Sequence, residues 1–336
     1  MIMKKCFVPL MLAASFGITA AEVKDGFDKF TWGQWYSKGG KGICRFNAKE
    51  GLTAPGSADM VFAAAHKKGA NAMILKKLPV EPGKTYRVKC MVRSKTPDQK
   101  SAANIGVQAF KNGKFHSTIL ASAKIPVEKD WTMVAGEFSV PNGIDQIQIL
   151  AAGYADAGTT LQFDDFSMSE VDMTAEYKDT FDYDAWGFWK SPGTKVTKNL
   201  DRKEGNKAPG AAQIVVAEGN PKNKGGSLTK HFPVKPGKEY TFVVFVRSQG
   251  LSPETTIGMS IQGQDAKKRF LGTGVQGTKI KAEDCREWKR MVFTFQIPDS
   301  GKWKNAGFVL MTLGTGGSTP GCVWFDDFEF FCNSEE

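Results

Sequence analysis

Histidine is scarce in this chain: three residues in 336. His66, His116 and His231 share no motif, so a duplicated histidine-based active site is excluded. The sequence has no G-x-S-x-G nucleophile elbow, no H-E-x-x-H metal helix and no phosphate-binding loop. No apolar run reaches the roughly 20 residues that span a bilayer as a helix. No long stretch carries a helical hydrophobic period. Cysteines number six, and removal of a segment containing Cys6 would leave an odd count, so at least one thiol would lack an intrachain partner.

Aromatic residues, by contrast, are plentiful, with 24 Phe and 8 Trp, which excludes a disordered chain. Lys and Arg total 45 against 35 Asp and Glu, a net +10 that suits an anionic partner without requiring one. Lys4 and Lys5 precede an apolar run from Cys6 to Ile18 and small residues at Ala20 and Ala21. That order reads as a secretory signal peptide over 1–21, and predicts a secreted, periplasmic or cell-surface protein.

Beyond it the chain is two copies of one unit. Phe27-Asp28-x-x-x-Trp32-Gly33-x-Trp35 recurs 154 residues later as Phe181-Asp182-x-x-x-Trp186-Gly187-x-Trp189. At the same offset Glu50-Gly51-x-x-Ala54-Pro55-Gly56 becomes Glu204-Gly205-x-x-Ala208-Pro209-Gly210. Pro82-Gly83-Lys84-x-Tyr86 becomes Pro236-Gly237-Lys238-x-Tyr240, and Val92-Arg93-Ser94 becomes Val246-Arg247-Ser248. Further on, Trp131 answers to Trp288, and Phe163-Asp164-Asp165-Phe166 to Phe325-Asp326-Asp327-Phe328. Units of this length hold their own cores, so the expectation is tandem domains at 22–171 and 172–336.

Each copy reads as strands. Val88, Cys90 and Val92 alternate with Arg87, Lys89, Met91 and Arg93. Phe242, Val244 and Val246 repeat the pattern, and Ile105, Val107 and Ala109 alternate with Gly106, Gln108 and Phe110. Period-2 runs between Gly, Pro and Asn clusters predict an all-β fold: two tandem antiparallel β-sandwiches of jelly-roll type. Trp131 and Trp288 open strands and are expected in the core. Trp32 and Trp35, three apart, must face opposite ways, which puts one of each such pair in the core.

The series Phe-Asp, Trp-Gly-x-Trp, Pro-Gly-Lys-x-Tyr, Val-Arg-Ser and Phe-Asp-Asp-Phe resembles the carbohydrate-binding modules of the family 4, 9 and 22 group. These are galactose-binding-like β-jelly rolls appended to secreted glycan-active enzymes. The resemblance covers both copies and implies two kinds of site. One is a structural Ca²⁺, with Asp28 beside Asp164 and Asp182 beside Asp326, because hard oxygen donors suit that ion. The other is a sugar cleft on the outer, concave face of one sheet. Its candidates are Arg93, Gln108 and Phe110 with Trp35 and Tyr36 in the first copy, and Arg247, Gln262 and Trp189 in the second. Planar amide and guanidinium groups pair with sugar hydroxyls, and aromatic faces stack on sugar C–H surfaces. Gln264 stands where Phe110 would recur.

Adjacent Asp-Asp residues on a strand point to opposite faces, which does not suit the paired carboxylates of a glycosidase. The expected function is therefore non-catalytic binding of a polysaccharide or oligosaccharide, including anionic ones, with no nucleic acid and no membrane span. An adhesion module of a cell-surface complex, and a polysaccharide lyase, are the alternatives. Cys322 and Cys332 lie too far apart on one strand to bridge. Pairing of Cys285 with either, and of Cys44 with Cys90, is left open.

Overall fold

The computed structural model describes residues 22–333 apart from 28, 30, 54, 97–99, 123, 175 and 223. The expected signal peptide and Asp28 fall outside the described residues. Regular structure in the rest is almost entirely strand, in four antiparallel sheets that form two sandwiches, as the period-2 patterning requires.

In the first copy, one sheet runs in the order Thr132–Ser139, Thr85–Ser94, Thr160–Glu170, Ser57–Phe62, Gly42–Asn47. It carries Arg93 and is called here the Arg93 sheet. The facing Gln108 sheet runs Gly33–Tyr36, Ala72–Pro79, Gln146–Ala155, Ser101–Lys111, Lys114–Ala121. The second copy repeats both. The Arg247 sheet runs Val196–Asp201, Ala211–Val216, Gly321–Cys332, Glu239–Gln249, Lys289–Gln296. The Gln262 sheet runs Gly187–Lys190, Gly225–Pro233, Phe308–Gly316, Thr256–Gln264, Phe270–Lys281.

Alternation places the core where the sequence puts it. Val88, Cys90, Val92, Ile105, Val107 and Ala109 are sealed in one cluster; Phe242, Val244 and Val246 belong to a second. Full burial of such side chains is worth about 1.5–3 kcal/mol each, so each sandwich carries its own hydrophobic stabilisation. Gly83 and Gly237 follow the turn prolines with φ of +82° and +80°, a backbone that L side chains resist.

Trp32 and Trp186 are core residues, each donating its indole N–H to an aspartate, Asp25 or Asp179, at 3.0 Å. Trp131 and Trp288 are not core, contrary to expectation. Each is half-buried on an outer face under a guanidinium, Arg93 at 4.7 Å and Arg247 at 5.4 Å from the ring centre. An arginine stacked on the indole covers one face of the ring and leaves the rest to water.

None of Cys44, Cys90, Cys285, Cys322 and Cys332 is in a disulfide, so none of the pairings left open forms. Cys44 and Cys90 sit on strands with two others between them. Three strand spacings put them about 14 Å apart, beyond the reach of a disulfide.

The copies meet at Glu137, on the outer face of the Arg93 sheet. Its side chain is 4% exposed and accepts hydrogen bonds from Arg87 Nε (3.0 Å) and Nη2 (2.7 Å) in its own copy. From the second copy it accepts Lys230 Nζ (2.6 Å) and Tyr183 Oη (2.6 Å); Tyr177 Oη, which donates to Asp179 at 2.9 Å, stands 3.2 Å away. Arg202 adds a bond to the Met133 carbonyl across the same junction. Burial opposes a charge here, but Lys230 and Arg87 outweigh it and hold the Glu137 carboxyl at about 2.

Candidate functional site

Topology separates residues that share parity. Arg93 and Gln108 both point away from the core, yet they stand on opposite sheets of the sandwich. Arg247 and Gln262 are divided in the same way. No single cleft can contain both, which corrects the expectation. The arginines have another task. Arg93 Nε donates to Gln162 (2.7 Å) and its Nη2 meets Glu50 at 3.4 Å; Arg247 Nη2 meets Glu204 at 2.7 Å. Glu50 and Glu204 open the repeated Glu-Gly loops, so both arginines anchor those loops to the sheet.

Tyr36 also leaves the proposed set. It neighbours Trp35 on the strand Gly33–Tyr36 and therefore faces the other way, packing on the core edge with its hydroxyl donating to Gln34 at 2.8 Å. Trp35, Gln108 and Phe110 do share the outer face of the Gln108 sheet. Trp189 and Gln262 share the outer face of the Gln262 sheet, at its opposite corners.

These two matched faces have diverged. Across the first copy, one row of neighbours reads Trp35, Met73, Ala152, Asn104, and the next reads Gly33, Leu75, Leu150, Gly106. Across the second, the rows read Trp189, Ser227, Gly314, Gly258, Lys279, and Gly187, Thr229, Thr312, Ser260, Gly277. Where the first copy has methionine and leucine, the second has serine, threonine and glycine.

The second face is a trough of about 630 Å³ floored by Gly258 and Gly314 and walled by Ser227, Ser260, Thr312 and Trp189. A β-carbon added at Gly314 would stand 2.2 Å from Ser227 Oγ, so glycine is what keeps the floor low there. Ser260 and Thr312 hydroxyls are 2.7 Å apart, each able to turn toward a ligand. The Trp189 ring is 57% exposed at one wall. Hydroxyl donors and acceptors around an open floor, with a flat apolar ring beside them, are complementary to a sugar ring's equatorial hydroxyls and C–H face. Sequence reasoning named Trp189 and missed the rest. The signal was present as period-2 small polar residues: Gly225, Ser227, Thr229, and then Thr312, Gly314, Gly316.

Phe110 is capped by Lys77 Nζ at 4.8 Å from its ring centre and by Phe115 edge-on at 6.1 Å. At the matched positions of the second copy, His231 Nδ1 meets Gln264 Oε1 at 2.7 Å. A cation–aromatic contact has been exchanged for a hydrogen bond.

The paired acids pin loops. Asp164 accepts the Leu52 and Asp165 amides at 2.6 and 2.7 Å; Asp326 accepts the Asn206 and Asp327 amides, both at 2.7 Å. Asp182 accepts the Thr180 hydroxyl at 2.6 Å. Burial pushes the Asp326 carboxyl up to about 6; the amides oppose this, and the carboxylates of Asp327 and Asp182 add to it. Among the described residues no three His, Cys, Asp or Glu side chains gather closely enough to hold a metal ion by themselves. A cation at Asp182 and Asp326 would need oxygens beyond side-chain carboxylates.

A family model described as a carbohydrate binding domain matches residues 21–154 and again 176–313. A search of curated proteins found no match. Among solved structures, the tandem CBM22-1–CBM22-2 domain of Paenibacillus barcinonensis Xyn10C is 12% identical, over 93% of this chain and 97% of that one, with a TM-score of 0.37. A xylan-binding domain from CBM 22 is 14% identical, over 49% of this chain and 99% of its own, with a TM-score of 0.34. TmCBM61, solved with β-1,4-galactotriose, is 13% identical, over 44% of this chain and 88% of its own, with a TM-score of 0.31.

Proposed function

Both copies of this chain belong to the carbohydrate binding domain family, and from that premise we propose that it binds a saccharide chain in the trough of the second copy, without catalysis. The observation that carries this reading is the row of Ser227, Gly314 and Gly258 beside the exposed Trp189 ring. Sugar C–H surfaces stack on the indole while hydroxyls exchange hydrogen bonds with Ser227, Ser260 and Thr312. Such an open site gives about 4–8 kcal/mol of binding, a micromolar to millimolar affinity.

The trough has no equal in the first copy. On the matched face Met73, Leu75 and Leu150 stand where the second copy has Ser227, Thr229 and Thr312, so those hydroxyl partners are missing there. The basic, apolar and small-residue segments of 1–21 support export, and the two sandwiches support tandem units meeting near Val171.

Calcium belongs to the same proposal. Asp326 and Asp182 supply oxygen donors, and each Asp326 oxygen keeps a lone pair beyond the amide it accepts. When bound, the ion would neutralise those carboxylates and tie the loop around Asn206 to the sheet. A melting temperature unmoved by chelator and by added Ca²⁺ would overturn that part.

The function is tested on a glycan array with the full chain beside Trp189→Ala. Retention of a glycan by the parent and its loss in the variant is expected. A folded protein that retains none overturns the proposal.

A further inference from the structure

Beside the trough, the two copies enclose a smaller cavity of about 250 Å³. The second copy lines it with Thr229, Lys230, His231 and Lys268, the first with Thr85, Glu137 and Ser139. Thr229 lies two residues beyond Ser227 on the strand Gly225–Pro233 and on the same face. One strand repeat, about 7 Å, therefore separates trough from cavity. The volume is that of one sugar ring, below the roughly 300 Å³ of a site for larger ligands.

Its charges are unevenly committed. Glu137 is committed to Arg87, Tyr183 and Lys230, and Lys230 is held by Glu137 and the Ala185 carbonyl. His231 is bonded to Gln264. Lys268 is different: among the described residues no carboxylate lies within ion-pairing distance of it, and its ammonium stands 5.1 Å from the Phe308 ring centre. It occupies the tip of a turn held by Asp265, which accepts the amides of Lys267 (2.8 Å) and Arg269 (2.9 Å). Lys268 itself sits at φ +61°, a conformation costly for a side-chain-bearing residue. The turn holds an exposed cation, over the Phe308 ring and with no carboxylate partner among the described residues, at the rim of a cavity lined by Thr85, Ser139 and Thr229.

We infer that this cavity receives an acidic sugar, a uronic acid residue carried by the saccharide chain in the trough, with its carboxylate facing Lys268 and its hydroxyls facing Thr229, Thr85 and Ser139. The inference rests on the trough reading and names its ligand class. A neutral sugar leaves Lys268 only water and the Phe308 ring; a carboxylate adds a charge-assisted partner. The first copy thereby contributes part of the binding surface, and its orientation selects the ligand.

The test uses the full chain in calorimetric titration. Probes are xylohexaose, cellohexaose, and xylo-oligosaccharides bearing one glucuronic acid branch, with D-glucuronate alone as a fourth. The branched acidic probe is expected to bind about tenfold tighter than its neutral parent, the value of one charge-assisted contact. That gain should vanish in Lys268→Met, which keeps the aliphatic stem over Phe308, and shrink in about 0.5 M salt. Equal affinity for acidic and neutral probes overturns this inference while leaving the trough reading intact. So does a gain that survives Lys268→Met. Binding of none of the probes by the folded chain also overturns this inference, and the trough reading falls with it only if the glycan array retains nothing either.

Discussion

Lys230 Nζ lies 2.6 Å from Glu137 Oε2 of the other copy, whereas Lys76, its counterpart 154 residues earlier, pairs with Asp25 inside its own copy. The repeat positions are equivalent and the partners are not. In the second copy the residue matching Asp25 is Asp179, which spends its oxygens on Trp186, Tyr177 and the Phe181 amide. Lys230 is thereby released to reach across. Glu137→Ala would take the carboxylate from Lys230 and Arg87 and strand the Tyr183 hydroxyl, while Tyr177 keeps its bond to Asp179. Breaking a buried pair from one side costs about 3–5 kcal/mol. The expected result is a lower denaturation midpoint, by urea titration followed through tryptophan fluorescence. An unchanged midpoint would show that the junction adds nothing to stability.

Acid should expose the same carboxylate. The Glu137 carboxyl is held at about 2 against an ordinary 4.5, so the unfolded chain binds more protons between those values. Its contribution is complete above about pH 4.5 and is lost as pH falls through about 2. The span corresponds to about 3 kcal/mol. Glu137→Gln should flatten that segment of the stability–pH curve. Parallel curves for parent and variant from pH 5 to 2 would refute the assignment.

The two exposed tryptophans should behave oppositely. Trp189→Ala removes the stacking wall of the trough and should weaken glycan binding by about tenfold, given the 0.5–1.5 kcal/mol of ring contact plus lost area. Trp35→Ala, on the Met73 and Leu75 face, should leave binding unchanged. Affinity electrophoresis of both variants decides the matter, and an equal loss would restore the first copy as a binding site.

Gly258→Val tests the floor. An added β-carbon there meets nothing closer than Lys279 Cγ and Thr278 O, both at 3.9 Å, so the strand accepts it. The valine would stand in the trough. Melting should shift by only a few degrees, as for a surface change of about 0.5 kcal/mol, while binding is abolished. Undiminished binding would move the ligand elsewhere.

Thiol reactivity offers a check on the cores. Cys44, Cys90 and Cys285 are buried, and burial pushes the Cys44 thiol up to about 12 and the others upward as well. Thiolate is the reactive form. Iodoacetamide at pH 8, read by mass spectrometry, should leave these three unmodified until denaturant is added. Rapid labelling of Cys90 in the folded chain would contradict the packing of the Arg93 sheet.

Parity along a strand was legible in the sequence; the sheet to which the strand belongs was not. Val88, Cys90 and Val92 went to the core as their alternation required, and Trp35 and Trp189 went outward. Arg93 and Gln108 shared an outward parity, but only the strand order shows that they stand on opposite sheets. The trough was half legible. Its aromatic wall stood out, while its floor was written in Ser, Thr and Gly, residues that also make turns and so carry little signal alone. Glu137 was invisible because it belongs to no repeated motif and its partners lie 40 to 93 residues away.

Glu137 has a mechanical consequence. A repeat joined only by a short connector would behave as beads on a string, each half reorienting by itself. With one carboxylate gripped from both sides, the halves tumble as one particle. Amide relaxation in the two copies should therefore report a single rotational correlation time.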